Sequence, residues 1–224
     1  QRSPLRDANP DGGEFTIREL IRLALVESDG TASDVLMRVA GGANDIQSYL
    51  SLIGIQDMKV ENTEKEIGRD WQTQYKNWST PMAAVELLRS LRFAVQDLAF
   101  LEHNITVRYS NSNEERPPRL HISDNDSSIA WVLYTDLRDS NPGAKRLKGL
   151  LPAGTIVAHK TGTGGTRNGI TGATNDIGII DTGSGKHIAI AVFVSDSPAD
   201  EKTREAVIAK IAKACWDKWS STEA

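Results

Sequence analysis

The rhythm of apolar residues changes at Pro152, and this change limits the possible folds more than any other feature. Before it, apolar side chains recur at helical spacing: Ile17, Leu20, Ile21, Ala24 and Leu25, then Val85, Leu88 and Leu91. After it, "GTIVAHKTGTG" and "NDIGIIDTGSGKHIAIAVFVSDS" alternate and are rich in β-branched residues, with "DTGSGK" as a hairpin turn. The last segment, from about Asp200 to Trp219, is helical again and carries Val207, Ile211, Ala214 and Cys215 on one face. Helices, then three antiparallel strands, then a helix predict an α+β fold with helices flanking an antiparallel sheet. The chain reads as one domain over 1–224, mainly helical through 1–150 and sheet plus closing helix over 151–224.

Local signals place the elements. Thr16-Ile17-Arg18-Glu19 is a capping box, and the helix it opens should end near Ser28. Thr31 to Val39 reads as a short helix, and Asp45 to Ile53 as another, stopped by Gly54. Thr80-Pro81 is an N-cap and first-turn pair for a helix running on towards Leu101. Between Asp57 and Trp78 the periodicity fades, which predicts a long polar loop, either functional or disordered. "HNITVRYSNSNEERPPRLH" is polar and Pro-broken, and predicts a surface insertion or linker. "SDNDSSIAWVLYTDL" predicts a helix with Ser123 as its cap.

Charge and composition narrow the function. A net charge of −4 gives no electrostatic reason to bind nucleic acid or an anionic membrane. The longest apolar stretches fall short of the roughly 20 residues a membrane span needs. One cysteine, Cys215, excludes an internal disulfide and most thiolate metal sites. His103 and His121 have no companion at metal-ligand spacing, and His159 and His187 read as strand residues, so no metal or cofactor is expected. "QRSPLRDANPDGGEF" carries neither an initiating Met nor an apolar leader, and suggests a processed chain or part of a longer one.

Three stretches carry chemistry. "HKTGTGG" puts Lys160 at a strand end, with Thr161 and Thr163 beside a glycine backbone that a ligand can approach; an anionic group would find all three converging on it. A plain surface turn fits the same residues. Two Ser-Asp triplets compete as partners: Ser28-Asp29-Gly30 in "VESDGTASDVLMR", and the intact Ser123-Asp124-Asn125 in "ISDNDSS".

Together these stretches resemble class A serine β-lactamases. "RLKGLLPAGTIVAHKTGTG" is similar to the segment leading into that family's Lys-Thr-Gly strand, and "SDGTASDVLMR" to its Ser-Asp-Asn element. "NTEKEIGRDWQTQYKNWSTP" resembles its Ω-loop in the form of the extended-spectrum branch, which Asp34 also suits. The motifs stand in family order, and the resemblance runs from Ser3 onward except around residues 94–121. It makes Ser123-Asp124-Asn125 the decoy. It implies an exported, monomeric enzyme, periplasmic or secreted, that opens β-lactams through a serine acyl-enzyme and confers antibiotic resistance without a cofactor.

The resemblance also implies roles. Ser28 relays a proton to the β-lactam nitrogen, and Lys160 polarises that hydroxyl and attracts the substrate carboxylate. Glu64 is the base for the deacylating water, with Glu61 and Glu66 as rivals. The Thr163 N–H forms half of an oxyanion hole. Thr161, Gly162 and Arg146 join the substrate site, Arg146 with a plain surface role as the alternative. Gly30 stands where the family has an Asn, and Gly68 where relatives often have a polar side chain.

One motif is missing. No Ser in the 224 residues is followed by Lys three positions on, so the family's Ser-x-x-Lys nucleophile is not in this chain. The expectation is an N-terminally incomplete chain, inactive alone, with an uncovered sheet edge and helix face. A non-catalytic β-lactam- or peptidoglycan-binding remnant is the alternative. A DD-peptidase-like transpeptidase is another, against which Glu64 speaks.

Overall fold

Several helices start where the sequence supplies a cap. In the computed structural model of the chain, α1 (Pro4–Ala8) follows Ser3, whose hydroxyl accepts the Arg6 N–H. β1 (Gly13–Thr16) leads into α2 (Ile17–Val26), where the Thr16–Glu19 capping box forms. α3 (Gly30–Val39) begins on Asp29, whose buried carboxylate accepts the Ala32 and Leu5 N–H groups and the Ser3 hydroxyl. α4 (Ala43–Leu52) is followed by Gly54 at φ +85°, the left-handed turn that ends a helix. The structure describes residues 2–97, 103–109, 120–124, 129–183 and 185–220.

The polar segment after Asp57 is a closed loop. β2 (Met58–Lys59) pairs antiparallel with β3 (Trp78–Ser79) at its neck. α5 (Glu64–Ile67) and a 3₁₀ turn, Gln72–Lys76, lie between them. The Asn77 side chain ties the inside: it accepts the Glu61 and Asn62 N–H groups and donates to the Asn62 carbonyl. The loop's backbone polar groups therefore find partners that apolar periodicity does not reveal. Beyond it, α6 (Pro81–Asp97) is capped by Thr80 and buries Leu88 with Ala83 and Ala84. The stretch 98–102, towards which this helix was expected to run, lies outside the described residues.

The segment read as a linker contains β4 (His103–Tyr109) and β5 (Leu120–Asp124), which join β1 in an antiparallel sheet of order β1-β4-β5. The β-branched run Ile105-Thr106-Val107 carries this pairing, and the polar residues after it masked the signal. Ser123 sits in β5 opposite Asn104 and does not cap a helix; α7 (Ile129–Arg138) starts later. Residues 125–128, including Asn125, lie outside the described residues.

The C-terminal sheet has β8 (Ile170–Asp181) antiparallel to β6 (Val157–Thr163), β7 (Thr166–Arg167) and β9 (His187–Ser197). The turn from β8 to β9 closes with the Thr182 N–H donating to the Lys186 carbonyl, and Gly183 and Gly185 supply its positive φ. α8 (Glu201–Trp219) packs Ile208 and Ala212 onto Leu147, Val157, Ile180, Ile190 and Val192. Leu5, Leu20, Ala32 and Val35 form a second core among α1, α2 and α3. Fully burying one such leucine contributes about 2 kcal/mol.

The roll of α8 differs from the expected stripe by one residue. Ile208, Ala209 and Ala212 are buried, whereas Val207 and Ile211 are 43% and 41% exposed. Polar anchors explain the phase. Arg204 donates to the Thr174 hydroxyl and Glu205 accepts from Arg146, so the helix turns these two charged residues inward and Ile208 follows them. Among the described strands β9 pairs with β8 alone, leaving its other edge open.

Candidate active site

Ser28 lies between α2 and α3 in a left-handed conformation, φ 55°, unusual for a residue with a side chain. Two bonds hold it there: the Asp29 N–H donates to the Leu23 carbonyl, and the buried Asp29 side chain is fixed by the α3 cap. Left-handed backbone at a side chain aimed into a cleft is strain of the kind found at functional sites. The hydroxyl meets Lys160 of β6, whose Nζ donates to Ser28 Oγ at 2.7 Å and to the Thr161 carbonyl at 2.9 Å.

These groups line an open cleft of about 790 Å³ between the helices and the edge of the sheet. Ser28, Gly30 and Pro142 line it together with Lys160 to Gly165. Glu64, Gly68, Trp71 and Gln74 of the closed loop line it as well. The structure thus brings together Ser28, Gly30, Glu64, Lys160, Thr161, Gly162 and Thr163.

The geometry separates Glu64 from its rivals. Glu66 is the third residue of a second capping box and accepts the Thr63 N–H at 2.8 Å. Glu61 pairs with Lys59 and Lys76 on the far side of the loop. Glu64 alone of the three lines the cleft. Its mouth is open to solvent, yet the surrounding atoms desolvate the carboxyl enough to raise its pKa above 4.5; the negative charge of Asp34 adds to this and Lys160 opposes it. Burial lowers the Lys160 pKa below its ordinary value, opposed by Glu64 and Asp176.

Asp34 holds the loop in place. Its carboxylate accepts the backbone N–H groups of Glu64 and Lys65, at 2.6 and 2.9 Å, capping the first turn of α5 from a neighbouring helix. Burial raises its own pKa, and the two N–H groups oppose that rise.

Arg146 is neither on the surface nor among the residues lining the cleft; it is 4% exposed, behind β6. Its guanidinium donates to Glu205, to the Gly162 and Asn175 carbonyls and to the Thr163 hydroxyl. It therefore orients the end of the strand that faces the cleft. His159, buried on the same strand, places Nδ1 2.9 Å from both oxygens of Asp176, while its buried Nε2 has no partner among the described residues. A Cβ at Gly68 would make ordinary van der Waals contact with the Glu64 and Lys65 carbonyls, at 3.6 Å, so the position can hold a side chain. Among the described residues no three His, Cys, Asp or Glu side chains are grouped to hold a metal, and no helix is long and apolar enough to cross a membrane.

The profile of the Beta-lactamase enzyme family matches residues 3–99 and 133–219, on either side of the segment that contains β4 and β5. Beta-lactamase VEB-1 of Pseudomonas aeruginosa is 34% identical over 96% of this chain, and the extended-spectrum beta-lactamase PER-1 of the same organism 33% identical over 92%. The chain spans 63% and 58% of the length of these two relatives. The crystal structure of the TLA-1 extended-spectrum beta-lactamase superposes with a TM-score of 0.82 at 38% identity, covering 98% of this chain and 70% of that one. A class A beta-lactamase from Bacteroides cellulosilyticus superposes at 0.78 with 30% identity, covering 99% and 70%. By sequence profile, by relatives and by fold, this chain belongs to the class A serine β-lactamase family.

Proposed function

We propose that these 224 residues supply the proton relay, the carboxylate cradle and the deacylation base of a β-lactam hydrolase that works through a serine acyl-enzyme and confers antibiotic resistance. The observation that carries this reading is the Lys160–Ser28 hydrogen bond facing Glu64 across one cleft. The Lys160 ammonium polarises the Ser28 hydroxyl, which passes its proton to the β-lactam nitrogen as the ring opens; Lys160 and Thr161 attract the substrate carboxylate. The Thr163 N–H stabilises charge on the carbonyl oxygen. Glu64 takes a proton from the water that attacks the acyl carbonyl, a task its raised pKa suits. Gly30 leaves that wall of the cleft without a side chain towards the substrate's amide.

The nucleophile comes from outside these residues, since none of their serines heads a Ser-x-x-Lys. The chain acts as one domain, 1–224, exported to the periplasm or secreted, and monomeric when complete. The missing nucleophile favours one second reading, a β-lactam- or peptidoglycan-binding remnant without turnover.

The test joins these residues to a segment bearing Ser-x-x-Lys. The joined protein is expected to hydrolyse β-lactams, and the 224-residue chain alone to leave them intact. Glu64→Gln in the joined protein is expected to accumulate an acyl-enzyme, visible as a persistent mass increase. Turnover by Glu64→Gln at the parent rate rules out Glu64 as the base.

A further inference from the structure

Among the described residues Lys160 forms no ion pair. Its Nζ donates to Ser28 Oγ and to the Thr161 carbonyl, both uncharged oxygens. A desolvated ammonium holds its proton only with the help of negative charge nearby. Glu64 and Asp176 supply that charge, while the Arg146 cation acts against it. The two carboxyl groups differ in one respect. Glu64 lines the cleft, and in the proposed reaction it takes up a proton and loses its charge.

Asp176 is fully buried on β8, directly across from Thr161 of β6. In the same register Lys160 stands opposite Ile177, so strand alternation sends Lys160 and Asp176 to opposite faces. The Leu147 N–H donates to Asp176 Oδ2 at 3.2 Å, and His159 Nδ1 lies 2.9 Å from each carboxylate oxygen. Two glycines leave room for the imidazole and for Thr161. A Cβ on Gly178 would lie 2.8 Å from His159 Cβ; one on Gly143, at φ +82°, would lie 2.3 Å from Thr161 Cγ2 and 3.5 Å from His159 Cε1.

The surroundings also select the tautomer. His159 Nε2 is buried and has no partner among the described residues. An imidazolium would leave an N–H unpaired there, whereas a neutral ring with its proton on Nδ1 leaves only a lone pair, which is less costly. His159 is then a neutral donor to Asp176, and the carboxylate charge is not cancelled.

We propose that Asp176, held by His159 and the Leu147 N–H, is a positioning residue that acts as the permanent counter-charge of Lys160 from the far face of β6 while Glu64 gains and loses its proton. The part played by Glu64 rests on the β-lactam reading above; the pairing of Asp176 with Lys160 does not. Placement on the far face has a chemical advantage. An ammonium has three N–H donors, and Ser28 and Thr161 engage two of them. A carboxylate on the cleft side would take the third, whereas Asp176 leaves it to an incoming anion.

The test follows lysine Cε by NMR during pH titration of the 224-residue chain, Asp176→Asn, Glu64→Gln and the double variant. Asn keeps one oxygen for the Leu147 N–H, and its amide can donate to Nδ1 once the imidazole carries its proton on Nε2. Asp176→Asn is expected to lower the Lys160 pKa by about one pH unit, the low end of what a neighbouring charge produces, and to do so equally in the Glu64→Gln background. Lys148, on which the Asp176 charge also acts, should titrate lower as well. A packing defect alone would change stability and leave both titrations in place.

A shift at Lys148 without one at Lys160 overturns the proposal. So does a Lys160 shift that vanishes in Glu64→Gln, because Asp176 would then act only through Glu64. Two readings need no change at Asp176. Imidazole-nitrogen NMR of the parent should show a neutral His159 protonated on Nδ1, and an imidazolium at neutral pH overturns the proposal. Lys160 should keep its proton at neutral pH in Glu64→Gln, and a neutral amine there overturns it too. Benzylpenicillin, followed by tryptophan fluorescence, is expected to bind the parent chain. Absence of binding together with the expected lysine shifts overturns the β-lactam reading and leaves the counter-charge standing.

Discussion

Asp34 stands between two jobs: its carboxylate holds the Glu64 N–H at 2.6 Å and its charge acts on the Glu64 carboxyl. The first fixes Glu64 at the cleft, and the second raises its proton affinity. Asp34→Asn separates the two, since the amide oxygen can still accept a hydrogen bond but carries no charge. The Glu64 pKa is expected to fall towards its ordinary value without reaching it, because desolvation is the larger cause of the rise. Carboxyl-carbon NMR titration reads this directly. An unchanged Glu64 pKa in Asp34→Asn would mean that the two charges do not interact.

Glu64 should also cost the fold some stability at neutral pH. A carboxyl with a raised folded pKa binds its proton more tightly folded than unfolded. That contribution is fully present below the unfolded pKa of about 4.5 and is lost as pH rises through the folded value. Glu64→Gln removes the loss. Its Tm is expected to exceed the parent's at pH 7, with the difference vanishing below about pH 4.5. A gap of the same size at pH 3 and pH 7 contradicts the electrostatic cause.

Arg146 joins α8 to β6, and removing it leaves Glu205 buried without its partner and three other acceptors without their donor. Breaking a buried pair in this way costs about 3 kcal/mol. Arg146→Ala is expected to lose that much in urea unfolding. Arg146→Lys should recover only part, because one ammonium cannot reach four acceptors spread around a planar fork.

The roll of α8 gives a packing test. Ile208→Ala should cost about 3 kcal/mol, because its side chain is fully buried. Ile211→Ala, one turn on but exposed, should cost under about 1 kcal/mol. Equal losses at the two positions would return the helix to the phase its apolar stripe suggests.

That stripe shows where sequence legibility stopped. Val207, Ile211 and Ala214 are as apolar as the residues that are buried, and only Arg146 and Thr174, distant in the chain, decide which face turns inward. Local signals were legible where one segment contains its own cause: the Thr16–Glu19 box, the Thr80–Pro81 start and the Asp181–Lys186 hairpin all form. The grouping of Ser28, Glu64 and Lys160 was legible only as motif order, since no pattern within one segment measures a distance across 132 residues. Asp34 was visible as a marker residue but not as a cap, because its partners lie on another helix. Gln74 was visible only as part of the Ω-loop-like stretch and not by its contacts, because Gly164 and Gly172, which it packs against, are distant in the chain. The β4 pairing was hidden by the polar residues that follow Tyr109.

The Lys160–Ser28 bond spans the two parts of the fold. Ser28 belongs to the helical body, whose core is Leu20, Ala32 and Val35, and Lys160 to the sheet body, whose core is Val157, Ile180 and Ile190. Closing a loop of that length carries an entropic cost that neither body repays alone. The bond therefore joins two packed cores, and its length depends on how they meet. A chain whose halves part slightly keeps its helices and strands, and so its circular dichroism, while the Lys160–Ser28 bond is already broken. The shape of the cleft is thus a measure of quaternary-like assembly within a single polypeptide.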